Sequence, residues 1–550
     1  MSEASFVTTQ EGQQVLVLRE GSTQSRGRRA QNNNISAAKL IAELVKTSLG
    51  PKGMDKMLVD SMGDATITND GATMLKEMDV QHPTGKMIIE IATTVDNEVG
   101  DGTTSSVVLA GALLEGAGEL IEKGVHPMVV INGYRAAATK AQRILEEISI
   151  GVGPEDTATL TKIAKTSMGS KLISNDSAAL GAMVVDAILQ VAEKSAEGTY
   201  RVDTDDLKIE KKAGGSLKDT SFTRGVVLDK EVVHSGMPRR VEEARIALVS
   251  SALEIKKTEF DAKINIGRPE QIQQFLDEET RMLKSMVEKI SGSGANVLIC
   301  QKGIDDVAQH YLAKTGILSV RRVKESDMTK LAKATGARIV AGLDGLTSAD
   351  LGQAGLVEER KLEDDKWVFV TGCKSPKAVS MLVRGGSQRV VDEAERSIHD
   401  AVMVVKDVLE NPLVVAGGGA VEEELAYRLS KWSALVQGRE QLAAEKFADA
   451  LESIPLALAA NAGFDPIDTQ VELRESHGAG KKWAGVDVLG KGVRDMLGKG
   501  VIEPTSVKEQ VIKSATECAC MILRIDDVIA GGRRSPSPSQ GGPGGMGGME

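Results

Sequence analysis

Four short runs in this chain carry residue types that could hold a phosphorylated ligand. In Gly100-Asp101-Gly102-Thr103-Thr104-Ser105, the glycines let backbone approach a ligand closely, and three hydroxyls with free N–H groups open a helix behind them. A phosphate would be stabilised there. Asp101 beside it suits Mg²⁺, a hard cation that takes carboxylate and phosphate oxygens together. The same residues also read as a helix start that Asp101 and Thr103 merely cap. Leu49-Gly50-Pro51-Lys52-Gly53 is a second phosphate-loop candidate, or else a helix-ending Gly-Pro turn. Asn69-Asp70-Gly71 sets a carboxylate at a strand-to-helix corner. Gly417-Gly418-Gly419, ahead of a helix, would admit a base or ribose close to the backbone, and is also the composition of a linker. No Gly-x-x-x-x-Gly-Lys-[Ser/Thr], His-Glu-x-x-His, Gly-x-Ser-x-Gly or Cys-x-x-Cys occurs in the chain, so a nucleotide would need a cradle of another kind.

The elements that must position these runs follow from apolar spacing. Helical periodicity predicts helices over 35–49, 72–78 and 86–99, a restart at Thr103, and another helix opened by His126-Pro127. A strand over 65–68 delivers Asp70 to its corner. Between about residues 151 and 380 short strands such as 297–299 and 317–320 alternate with helices such as 305–313, an α/β pattern. Helical spacing returns over 390–410 and 420–432 and is expected to continue to Arg524. The chain therefore reads as a multidomain α and α/β protein, with one mostly helical domain built from both termini and an α/β domain inserted between them. Residues 531–550, rich in Ser-Pro and then Gly-Gly-Met, offer too little apolar surface to order themselves.

Composition narrows the function. The 550 residues are 41% hydrophobic but only 3% aromatic, so cores must rest on aliphatic packing and stacking platforms for bases are not expected. A net charge of −11 disfavours nucleic acid; the one basic cluster, Arg26, Arg28 and Arg29, reads as a solvated loop before a helix. Cys300, Cys373, Cys518 and Cys520 lack zinc-site spacing and read as reduced, buried thiols. No leader pattern or unbroken membrane-length apolar stretch is found, so neither membrane nor export is expected and the chain reads as cytoplasmic.

In their order and spacing, Leu49-Gly50-Pro51-Lys52-Gly53-Met54-Asp55-Lys56-Met57, Thr68-Asn69-Asp70-Gly71, Gly100 to Ser105 and Gly417-Gly418-Gly419 closely resemble the chaperonins. Gln301-Lys302-Gly303-Ile304-Asp305-Asp306 and Leu523 to Ile529 resemble the group II branch, the thermosome and its eukaryotic cytosolic relatives. The resemblance spans about residues 10–530.

It implies a chaperonin fold: an equatorial domain from 1–150 and 411–530, an intermediate domain from 151–222 and 379–410, an apical α/β domain over 223–378 with a helical protrusion at about 254–290, and a tail over 531–550. It further implies an ATP- and Mg²⁺-dependent chaperone that encapsulates unfolded or partly folded proteins in a double ring of identical or paralogous subunits. Leu49, Gly50, Pro51, Gly102, Thr103, Thr104 and Ser105 would then contact phosphates, Asp101 would hold Mg²⁺, and Gly418, Gly419 and Glu503 would lie toward the adenosine. Asp70 and Asp400 would polarise the attacking water, a task that suits carboxylates from separate segments, since phosphoryl transfer chiefly needs positioning. Taken by itself, Asp400 reads as an ordinary solvated acid, and His399 as a surface residue. Lys171 matches a loop that senses the γ-phosphate. Helical spacing of Ile272, Phe275, Leu276, Leu283, Met286, Val287 and Ile290 predicts a packed face, and Phe260, Ile264 and Ile266 are candidates for an apolar lid tip. The alternative is a ring-forming structural or holdase protein with a vestigial nucleotide site.

Overall fold

A computed structural model describes residues 5–8, 14–17, 23–60, 62–63, 65–171, 173–194, 200–255, 269–374, 376–490 and 492–530. The lid-tip candidates Phe260, Ile264 and Ile266 and the tail 531–550 lie outside the described residues. The fold is a multidomain α and α/β chaperonin fold organised around three hydrophobic cores.

The first core joins the two ends of the chain. Helices Arg28–Lys46, Pro83–Val99, Thr103–Glu122 and Pro127–Ile148 pack with Ala420–Ser433, Glu440–Leu451 and Thr505–Leu523. Pro83 and Pro127 each open a helix whose preceding histidine side chain accepts a backbone N–H. With few aromatics, the helices close up through small residues: a Cβ on Gly111 would stand 2.3 Å from Cβ of Ala42, and one on Gly133 2.5 Å from Cβ of Ala443. Tyr134 and Phe447 meet edge to face at 5.7 Å across the two chain halves, and the Tyr134 hydroxyl donates to the Leu113 carbonyl. Strand Asp527–Ala530 pairs antiparallel with Thr23–Arg26 and ties the ends together. Helix Thr103–Glu122 is long and apolar enough by composition to cross a membrane, yet most of it is buried in this core.

The second core is α/β. Its seven-stranded mixed sheet runs in the order Gly225–Leu228, Asp365–Thr371, Gly352–Leu362, Arg240–Val249, Val297–Cys300, Leu318–Val320, and Ile339–Val340 also pairs with Arg240–Val249. Helices Pro269–Gly292, Asp306–Lys314 and Glu325–Thr335 cover it. The third core lies between the other two in sequence on both passes of the chain. Helices Thr157–Met168, Ser177–Val191 and Gln388–Glu410 pack with the parallel strands Leu207–Ala213 and Val379–Gly385.

Several expectations change. The first helix begins at Arg28, and Arg26 ends a paired strand, so the basic cluster is not a loop: the Asp527 carboxylate faces Arg26 at 3.3 Å and the terminal strand pairing orders it. The C-terminal third is not helical throughout, because a hairpin of Ala484–Val486 with Val493–Asp495 and the strand Ile502–Pro504 interrupt it. In helix Pro269–Gly292 Leu283, Val287 and Ile290 are buried and Met286 partly so, whereas Phe275 and Leu276 are about half exposed, and the side chain of Ile272 lies outside the described residues. All four cysteines are free, and Cys373 is only half-buried.

Gly111→Ala is expected to force helices Arg28–Lys46 and Thr103–Glu122 apart and to cost about 1–3 kcal/mol, the scale of an overpacked core. Gly153→Ala, with nothing within 4 Å of the added carbon, should be silent. Denaturant midpoints followed by circular dichroism compare the two, and equal midpoints would contradict the close packing.

Candidate active site

Two left-handed glycines make the central corner. Gly100 (φ 69°) ends helix Pro83–Val99 and Gly102 (φ 81°) precedes helix Thr103–Glu122, leaving Asp101 alone at the bend. A side chain at Gly100 would strike Met403 Cβ at 2.3 Å, and one at Gly102 would strike Val511 at 2.7 Å. The corner is thus wedged between helices Gln388–Glu410 and Thr505–Leu523. Asp101 accepts the Gly102 N–H at 2.7 Å, so it turns its own corner and does not cap the helix; the helix N–H groups have no side-chain cap.

A cavity opens over this corner. It is lined by Leu49, Gly50 and Pro51 on one side, by Asp101, Gly102 and Ser105 in the middle, and by Gly418, Gly419 and Glu503 opposite. Asn461 fixes the first wall by donating to the carbonyls of Lys46 and Leu49 at 3.0 and 2.9 Å. Gly50 and Gly419 are both left-handed and press on Leu458 and Pro455. Thr166, Ser167 and Ser170 of the third core complete the lining, and the Ser167 hydroxyl is buried without a partner. Thr103 and Thr104 stand at the helix start against Gly71, whose missing Cβ would meet Thr104 Oγ1 at 2.6 Å.

The carboxylates gather beside this cavity. Asp70 caps helix Gly71–Glu77 by accepting the Thr73 N–H at 2.8 Å, and its other oxygen takes the Thr103 hydroxyl at 3.4 Å. Asp400 is not a solvated acid: it is buried and ion-paired with buried Lys171, because its helix turns this face into the junction of the first and third cores. Burial alone would push Lys171 down, but Asp400, Asp70 and Asp101 together hold it above its ordinary value. Burial pushes Asp400 up, and Asp70 and Asp101 add to this against the pull of Lys171. Burial also opposes charge on Asp70, yet Lys171, the Thr73 hydrogen bonds and Arg396 outweigh it and hold its carboxyl low. Asp70 and Asp400 share a second, adjoining pocket with Arg396 and His399. His399 is over half exposed but stands 3.9 Å from Asp400, so it faces the site as well as solvent.

Asp70, Asp101 and Asp400 face, among the described residues, only Lys171 and Arg396, which leaves the cluster short of positive charge and fits a divalent cation. Among the described residues no three His, Cys, Asp or Glu form a closed cage; Mg²⁺ held by one or two carboxylates and phosphate oxygens needs none. Glycine backbone on two walls, an uncapped helix N-terminus and an unpartnered hydroxyl fit a polyphosphate ligand.

Sequence spacing missed Asp487, which lines the cavity from the turn after Ala484–Val486, and Lys508. Lys508 is buried between Glu422 (2.8 Å) and Glu503 (2.5 Å). Its signal was legible: a lone lysine on the otherwise apolar helix face Val507, Val511, Ile512, Ala515.

A chain of this fold and cavity matches the TCP-1/cpn60 chaperonin family over residues 41–533, and belongs to it. Its relatives place it on the group II branch. It is 58% identical to thermosome subunit alpha of Archaeoglobus fulgidus over 524 residues, 95% of this chain and 96% of that protein. With thermosome subunit alpha of Thermoplasma acidophilum it shares 56% over 530 residues, 96% and 97% of the two chains. Among solved structures, the open-state monomer of a group II chaperonin from Methanococcoides burtonii superposes with a TM-score of 0.58 at 46% identity, covering 78% of this chain and all of that one.

Lys171→Met should leave Asp400 buried beside two other carboxylates, at a cost of about 3 kcal/mol near pH 8. A raised carboxyl binds its proton more tightly folded than unfolded, so the variant's lost stability returns as pH falls below the folded value. Unfolding midpoints of the variant and the parent near pH 5 and pH 8 test this. A deficit independent of pH would sink the electrostatic account.

Proposed function

We propose that this chain is a subunit of an ATP-driven protein-folding ring, and that its glycine-lined cavity binds ATP with Mg²⁺. The observation that carries the reading is the gathering of Asp70, Asp101 and Asp400 around Lys171 beside an uncapped helix N-terminus. A passive ring would have no use for three acids kept at such electrostatic expense. In this reading the backbone of Leu49-Gly50-Pro51 and of Gly102 to Ser105 holds the phosphates and Gly418, Gly419 and Glu503 face the adenosine. Asp101 is the metal ligand. Bound Mg²⁺ would neutralise charge on the phosphates; Asp70 and Asp400 orient the water, and Lys171 senses the γ-phosphate while drawing both acids toward their charged forms.

The three cores are then the equatorial (1–150, 411–530), apical (223–378) and intermediate (151–222, 379–410) domains. Lys208 supports a mechanical link between the last two: it pairs at 2.8 Å with Glu210 on its own strand and with Asp327 of helix Glu325–Thr335. The clients are unfolded or partly folded proteins, enclosed by a double ring of identical or paralogous subunits. The exposure of Phe275 and Leu276 on helix Pro269–Gly292 supports a protrusion serving as lid.

Phosphate release from ATP and Mg²⁺ by the purified chain tests the activity. Asp400→Ala should slow turnover about 10²- to 10⁴-fold, the usual contribution of a positioned acid-base group, with ATP affinity nearly kept; normal turnover would remove Asp400 from the site. Asp101→Ala should instead abolish the Mg²⁺ dependence of nucleotide affinity, and unchanged dependence would contradict the metal role.

A further inference from the structure

The cavity has an electrostatic problem that its known walls do not solve. A polyphosphate must enter a space whose lining includes Asp101, Asp487 and Glu503, with Glu422 directly behind. Asp487 is answered by Lys499 at 3.3 Å. Lys171 answers the Asp400 side. The remaining acids, Glu422 and Glu503, share one cation, Lys508, which is itself buried and lines the cavity.

We propose that Lys508 is a positioning residue for anionic ligands of this cavity: clamped between Glu422 and Glu503, it cancels their field so that the nucleotide polyphosphate can bind. The proposal rests on the nucleotide reading above. Its geometry is specific. Lys508 lines the same cavity as Asp101 and Gly102, and its partner Glu503 lies close enough to Asp101 to feel its charge, so the Lys508 charge bears on the bound nucleotide as well as on Glu503. Glu503 spends one oxygen on Lys508; the other has no donor among the described residues and occupies the space a side chain at Gly417 would need, 2.2 Å from its Cβ position. Glu422 likewise has one oxygen buried without a partner. Among the described residues neither acid has another cation within ion-pair distance, and Glu503 also feels Asp101. Without Lys508, burial would push the Glu503 carboxyl still further above its ordinary range. The other ionisable groups around this strand are Lys162, which covers Gly500, and Asp407, which takes the Ser506 hydroxyl at 3.3 Å.

The test uses the full assembled chain and steady-state ATP hydrolysis, each variant compared with the parent near pH 6 and near pH 8. Lys508→Met with Glu422→Leu removes the cation and one acid together, which avoids burying two unpaired charges. KM for ATP should rise about tenfold or more near pH 8, the scale of one charge at partly screened short range, and by less near pH 6, because burial without the cation favours the neutral Glu503 carboxyl as pH falls. The loss should fall on KM more than on kcat, since Asp70 and Asp400 adjoin a different pocket. Adding Glu503→Gln should remove the difference in KM between the two pH values. Asp407→Asn, a nearby titrating group outside the cavity, should leave the pH profile of KM as in the parent. A parental chain that does not hydrolyse ATP would overturn the nucleotide reading and this proposal with it. An active parent with unchanged KM in the double variant would overturn the proposal alone, as would a KM raised equally at both pH values, which would mark Lys508 as packing only.

Discussion

A lysine shut away from water keeps its charge only if carboxylates stand around it, and Lys171 has three, delivered by three separate stretches of chain. Asp70 comes from a strand-to-helix corner, Asp101 from the bend between two helices, and Asp400 from the long helix of the third core. Moving the Asp400 helix by the width of a side chain would leave a buried charge without its partner, which costs several kcal/mol. The junction of the first and third cores is therefore fixed by electrostatics as much as by packing. The proposed water-positioning acids sit at that junction, so a change in ligand charge there acts directly on the contact between two cores.

The scaffold that permits this is unusually fine-grained. Aliphatic and small residues allow helices such as Arg28–Lys46 and Thr103–Glu122 to approach until Gly111 and Ala42 nearly touch, which gives dense packing without aromatic bulk. The glycine corners serve the same end at the site. Gly100, Gly102, Gly50 and Gly419 adopt left-handed backbone and are pressed against Met403, Val511, Leu458 and Pro455. Cavity and core are thus built from one set of contacts, and the pairing of strands Thr23–Arg26 and Asp527–Ala530 closes the domain that carries them.

Local chemistry was legible where a residue type leaves the backbone little choice. The corners at Gly100 and Gly102, the proline-opened helix at Pro127 and the corner at Asp70 were each visible from neighbours in sequence. The split helical domain was legible too, because periodicity changes near residue 151 and changes back near 385. What spacing could not show is which acids meet: Lys171 and Asp400 are 229 positions apart, and nothing local distinguishes Asp400 from a solvated helix acid. The resemblance to chaperonins singled out Asp400, whereas its burial is a property of the folded junction. The hairpin at Ala484–Val486 escaped notice because its strands are three residues each, too short for alternation to register. Lys508 does carry a local signal, one charged residue within an apolar stripe, but spacing alone does not separate such a residue from a plain interruption of the stripe.

The central claim is that the glycine corner at Gly100 to Gly102 is where phosphate, metal and the converging acids meet. Anomalous scattering from Mn²⁺ in crystals grown with a non-hydrolysable ATP analogue locates the metal directly. The account predicts a single strong metal peak within coordination distance of Asp101, with nucleotide phosphates at the start of helix Thr103–Glu122. A nucleotide bound elsewhere, or a metal with no contact to Asp101, would contradict it.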